Sequence, residues 1–165
     1  MRRLPVLVPA SLILAAALLA GGCRRAREKA EERAIERQTG GAVQISGGNV
    51  TLRIDGGTVA VGANAKVPAS FPAEVPVYPG ARVGMAAESS QNGKTGWSLT
   101  LETGDARDKV SAFYRSSLAG FKQSSVLDLG DAEMSVWQGD RYDVTLMIAT
   151  GADQKTTLTM TVASQ

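Results

Sequence analysis

The sequence predicts an α+β fold: an antiparallel sheet with one helix packed on one face, in the order ββαββββ, preceded by a small β-meander. Three observations predict it. From Arg82 onward most segments alternate apolar and polar residues with period two, the mark of strands with one dry face. One segment between them, near residues 105–119, instead carries Val110, Phe113, Tyr114 and Leu118 on a single helical face. Three units ahead of this region, within residues 39–65, each open with Gly-Gly and alternate in the same way.

Taken in chain order, residues 1–22 have a positive start (MRR), an apolar stretch (LPVLVPASLILAAALLA) and two glycines, the layout of a secretory signal. An uncleaved membrane anchor is the alternative, against which Pro5 and Pro9 interrupt a continuous helix. Residues 23–38 are nearly all Ala, Glu, Lys and Arg, with Arg24–Glu28 and Arg27–Glu31 spaced as i, i+4 pairs. Their apolar stripe of Ala26, Ala30, Ala34 and Ile35 is too thin for a core, so a solvated helical stalk is expected. Arg24, Arg25, Arg27 and Lys29 are placed to meet anionic head groups. The meander follows with Val43, Ile45; Val50, Leu52, Ile54; and Val59, Val61. A calcium-binding nonapeptide repeat is excluded, because neither the unit at Gly47 nor that at Gly56 supplies Gly-Gly-x-Gly-x-Asp.

Residues 66–165 form the expected main domain. Four prolines in 66–83 hold that stretch extended. "RVGMAAE" and "TGWSLTLET" read as strands around the polar loop "SSQNGK". Thr103-Gly104-Asp105 then caps the helix, and Gly120 ends it. Further strands are expected near 121–129, 132–138, 141–150 and 155–164. Trp97, Leu99, Leu101, then Tyr142, Val144, Leu146, Ile148, then Leu158, Met160, Val162 share a dry face, opposite Ser98, Thr100, Glu102, Asp143, Thr145, Thr157, Thr159 and Thr161. Met134 and Val136 are expected inside. That turns Trp137 outward beside Met147, and these two with Tyr114 make a candidate binding patch. The competing expectation is that the meander folds over this face and covers it.

Composition narrows the chemistry. The chain of 165 residues has no histidine, the commonest general base at neutral pH, and one cysteine, Cys23. No serine lies in a recognisable nucleophile motif, and no multi-ligand metal spacing or cofactor fingerprint occurs. The net charge of +2 is unevenly placed: from Gln38 onward ten basic residues face twelve acidic ones, which leaves no footprint for nucleic acid. The expectation is therefore a non-enzyme without cofactor or metal.

Ala20-Gly21-Gly22-Cys23 after Leu18 and Leu19 resembles the lipobox of bacterial lipoproteins, with alanine where leucine is usual. That resemblance implies cleavage before Cys23, diacylglyceryl attachment to its sulfur and often palmitate or another acyl chain on the new amine. It also implies a place in the cell envelope, and Arg24 after the cysteine favours the periplasmic face of the outer membrane in a Gram-negative cell. Phe71-Pro72-Ala73-Glu74-Val75-Pro76-Val77-Tyr78-Pro79-Gly80-Ala81, with Phe113-Tyr114 on a following helix, resembles a group of uncharacterised bacterial secreted proteins and lipoproteins. Tyr78 within this stretch reads as a turn residue with its ring packed on the sheet. The resemblance brings no activity with it. The expected function is a membrane-tethered binding or scaffolding module for an envelope protein, lipid or glycan. The alternatives are a purely structural lipoprotein and a hydrolase with a carboxylate-based site.

Overall fold

The structure, a computed structural model, describes residues 23–39, 41–46, 48–63, 65–151 and 153–165; within the first helix, side chains are described from Glu28 to Arg37. The expected signal segment 1–22 and the side chains of Cys23, Arg24, Arg25 and Arg27 lie outside the described residues.

Among the described residues two helices and nine strands follow in the order α1 (Cys23–Thr39), β1 (Ala42–Ser46), β2 (Asn49–Ile54), β3 (Gly57–Val61), β4 (Arg82–Gln91), β5 (Lys94–Thr103), α2 (Arg107–Ser117), β6 (Lys122–Asp128), β7 (Ala132–Gln138), β8 (Tyr142–Thr150) and β9 (Thr156–Ser164). All nine strands belong to one antiparallel sheet, ordered β1-β2-β3-β4-β5-β9-β8-β7-β6. The fold is thus α+β with the sheet dominant. The expected six-stranded sheet behind a separate meander does not form: β3 pairs with β4 from Gly57–Ser89 to Val61–Met85, so the meander extends the sheet. An antiparallel β4 with a free edge is a ready template for β3, and pairing there satisfies a row of backbone groups that covering a face would leave open.

The core lies on the face that carries α2, here the inner face. Cross-strand rows build it: Trp97–Val162–Val144–Trp137, Leu99–Met160–Leu146–Ser135 and Leu101–Leu158–Ile148–Glu133. Val110, Tyr114 and Leu118 of α2 close over these rows together with Val75 and Tyr78 of the proline-rich segment. Trp97 donates from Nε1 to Ser70 Oγ at 3.1 Å, and the Phe71 ring meets it edge-on at 6.3 Å. Each fully buried Leu, Val or Ile contributes about 1.5–3 kcal/mol, so these three rows dominate the stability.

Four local expectations are corrected. In β7 the inward residues are Glu133, Ser135 and Trp137, while Met134 and Val136 point to the other face. The indole is the largest apolar group of the strand, and its burial sets the phase. The polar pair it draws inward is satisfied, since Ser135 Oγ accepts Trp137 Nε1–H at 3.1 Å and Glu133 meets Arg115 at 2.9 Å. Helix α2 begins at Arg107, with Ala106 at the cap and no capping side chain, because the Asp105 carboxylate is engaged elsewhere. It ends with Leu118 at the C-cap rather than at Gly120. Finally, "SSQNGK" is no open loop: β4 and β5 pair up to Gln91–Lys94 around Asn92 (φ 53°) and Gly93 (φ 77°), a two-residue turn of the Asn-Gly kind.

The two sheet edges differ. Along β1 the outward N–H groups of Val43 and Ile45 donate to Glu36 Oε1 (3.2 Å) and Glu32 Oε1 (2.7 Å) of α1. The segment expected to stand free as a stalk is therefore docked on an edge strand, where its carboxylates replace a missing neighbour. At the other edge every residue of β6 is exposed.

Candidate functional site

The outer face of the sheet lies opposite α2. Two rows cross it strand by strand. One runs Val43–Leu52–Val59–Ala87–Ser98–Thr161–Thr145–Val136, the other Ile45–Val50–Val61–Met85–Thr100–Thr159–Met147–Met134–Leu127. Its β1–β4 half is apolar, its centre is threonine and serine, and a second apolar group lies around Met147. Val50, Ile54, Val61, Leu127 and Met147 are exposed here. Between Ile54 and Val59 on one side and Gly96, Thr161 and Ala163 on the other is a shallow groove of about 230 Å³. Val126 on the inner side of β6 and Leu129 in the β6–β7 turn are exposed as well, but the outer face holds most of the large exposed apolar side chains.

The apolar side switches across the sheet. Strands β5, β8 and β9 bury their apolar rows toward α2 and β7 adds Trp137, whereas β1, β2 and β3 point their Val, Leu and Ile side chains outward and turn Thr51, Arg53 and Thr58 to the inner face. Strand β4 carries both, with Ala86 in the core and Met85 and Ala87 outside. Alternation fixes which residues share a face, but only pairing with β4 decides which face that is.

A second cluster sits where the proline-rich segment meets α2. Tyr78 donates its hydroxyl proton to Asp105 Oδ2 at 2.7 Å, and Lys109 Nζ meets Asp105 Oδ1 at 2.8 Å. The Asp105 N–H donates to Thr103 Oγ1 at 3.2 Å, and Thr156 Oγ1 donates to the Asp105 carbonyl at 2.6 Å. The bond from Lys109, then that from Tyr78, holds the Asp105 carboxyl below its ordinary pKa. The bond to Asp105 raises the Lys109 ammonium, and burial, followed by the bond to Asp105, raises the Tyr78 phenol. Every partner holds the others in the resting protonation state, which suits a clamp rather than a proton-transfer pair. The cleft beside it is lined by Pro79, Ala112, Phe113 and Ser116, and the Tyr78 ring meets Phe113 edge-on at 5.1 Å. Tyr78 is thus packed on the rings of α2.

The expected patch of Trp137, Met147 and Tyr114 does not assemble. Trp137 is 5% exposed and Tyr114 1% exposed, both in the core, while Met147 is 45% exposed on the opposite face. What covers Trp137 is the α2 side of the fold and not the meander. Burial pushes the Tyr114 phenol far above its ordinary pKa. The Tyr78 backbone lies near that hydroxyl, in a geometry that falls short of a hydrogen bond. Lys29 is exposed on α1, whereas Cys23, Arg24, Arg25 and Arg27 carry their expected roles on side chains outside the described residues. The Asp105 clamp was missed in the sequence, although an aspartate closing a strand with lysine four residues on was its visible signal.

Among the described residues no three His, Cys, Asp or Glu side chains converge as a metal site, and no helix is long and apolar enough to cross a membrane. No family model matches the chain. Neither a curated protein nor a solved structure matches it.

Proposed function

We propose that this chain is a lipid-anchored protein of the bacterial cell envelope whose sheet serves as a non-catalytic binding module, with the outer face as its contact surface. Exposed Val50, Ile54, Val61, Leu127 and Met147 on that one face carry the reading. Attachment through Cys23 rests on the lipobox-like sequence, and the resemblance of residues 66–165 to secreted proteins and lipoproteins supports the same address. Within that stretch the ββαββββ unit, β4 to β9 with α2, is the proposed folding unit. The core cluster and the side chains packed against it run from Val67 to Val162, with no member from β1, β2 or β3. The meander then enlarges the contact face without being needed for the core.

Site-specific photocross-linking in cells tests the contact surface. A cross-linking residue at Val50, Val61 or Met147 should give discrete adducts, and one at Thr51 or Arg53, on the inner face of the same strands, should give none. Equal labelling from both faces, or none from either, would leave a purely structural tethered protein.

A further inference from the structure

Helix α1 carries two charged stripes about 100° apart. Glu28, Glu32 and Glu36 recur every four residues, and Glu32 and Glu36 are spent on the β1 edge at 2.7 and 3.2 Å. One position further on, Lys29, Arg33 and Arg37 form a parallel stripe of exposed cations. Arg37 Nε donates to the Arg33 carbonyl at 3.1 Å, and among the described residues none of the three pairs with a carboxylate. The stripe spans about 12 Å at 1.5 Å per residue. It runs toward Cys23, the proposed point of lipid attachment. Helix α1 runs antiparallel to β1, since Glu36 meets Val43 while Glu32 meets Ile45. Its Cys23 end therefore projects past the β1–β2 turn.

We infer that Lys29, Arg33 and Arg37 dock α1 on a membrane surface of anionic phospholipid head groups, so that α1 lies on the bilayer with the β1 edge at its flank. The inference rests on the membrane attachment proposed above and adds an orientation to it. The acidic stripe cannot be turned to the membrane while it holds β1, which leaves the cations as the face presented to lipid. A cation beside an anionic surface strengthens attachment about fivefold, and the effect is screened by salt. The consequence is a β1 edge held beside a helix that lies on the membrane.

The test uses mature full-length protein carrying Ala30→Cys, a nitroxide on that thiol, and vesicles of phosphatidylcholine alone or with one quarter phosphatidylglycerol. Flotation reports attachment, and collision with a water-soluble nickel chelate reports how closely α1 lies on the surface. The expected result is flotation with both vesicles, and a collision rate at least about fivefold lower on the anionic ones. That protection should vanish in about 0.5 M salt and in the triple variant K29Q/R33Q/R37Q. Flotation with both and equal collision rates would overturn the inference while the anchor stands. Flotation with anionic vesicles alone would uphold the stripe and remove the anchor. Flotation with neither would remove both.

Discussion

Replacing Trp137 by alanine separates a core residue from a contact residue. The ring is 5% exposed, stands in one row with Val144, Val162 and Trp97, and uses its Nε1–H on Ser135 Oγ at 3.1 Å. Truncating a buried aromatic of this size costs about 3–5 kcal/mol, the lost transfer energy plus the cavity left behind. The change also strips Ser135 Oγ, itself in a buried residue, of its partner. Against a total stability of about 5–15 kcal/mol for a domain, most of the margin goes. The melting temperature should fall by roughly 10–20 °C. Urea unfolding followed by far-ultraviolet circular dichroism measures it, with Trp97 left as a fluorescent reporter of the same core. A loss below about 1 kcal/mol would refute the placement of this ring and return it to the surface.

Tyr114→Phe should raise stability by about 1 kcal/mol, because it removes a buried hydroxyl that has no hydrogen-bond partner, and thermal unfolding that shows a loss instead would mean the hydroxyl is bonded. The Asp105 clamp predicts pH dependence at both ends. The lowered Asp105 pKa supplies stability that is present above the ordinary value of 3.8 and lost as pH falls through the folded value, whereas the raised Lys109 and Tyr78 values supply stability present below about 10 and lost as pH rises through theirs. Asp105→Asn should flatten the acid limb of the melting temperature plotted against pH and shrink the alkaline limb to the part set by burial of Tyr78, and an unchanged acid limb would remove the clamp. Residues 66–165 alone should unfold in one cooperative transition, since the core cluster needs nothing from β1–β3; a broad, non-cooperative melt would show that the meander is part of the folding unit.

How far the fold could be read in advance depended on whether burial was one-sided within a strand. Strands β5, β8 and β9 carry apolar residues on alternate positions and polar ones between, so their faces are legible from Trp97–Leu101, Val144–Ile148 and Leu158–Val162. Strand β7 is not, because its inward positions hold Glu133 and Ser135 beside a tryptophan, and a count of apolar positions favours the wrong phase. The start of α2 was hidden by Asp105, whose carboxylate looks like a cap and is held by Tyr78, a residue 27 positions away. Alternation in Val43–Val61 gave the meander's strands but not their neighbour, because strand pairing is a long-range choice. The helical tendency of α1 is local, while its docking depends on Glu32 and Glu36 finding the free N–H groups of β1.

The central claim is attachment through Cys23, and the intact mass of the protein extracted from membranes tests it most directly. The account predicts a chain beginning at Cys23 with a diacylglyceryl group on its sulfur, and with an acyl chain on its amine where that second step occurs. The same protein carrying Cys23→Ser should be recovered as the uncut precursor or free of the membrane. A membrane-derived wild-type chain that retains Met1 or bears no acyl group would contradict the account.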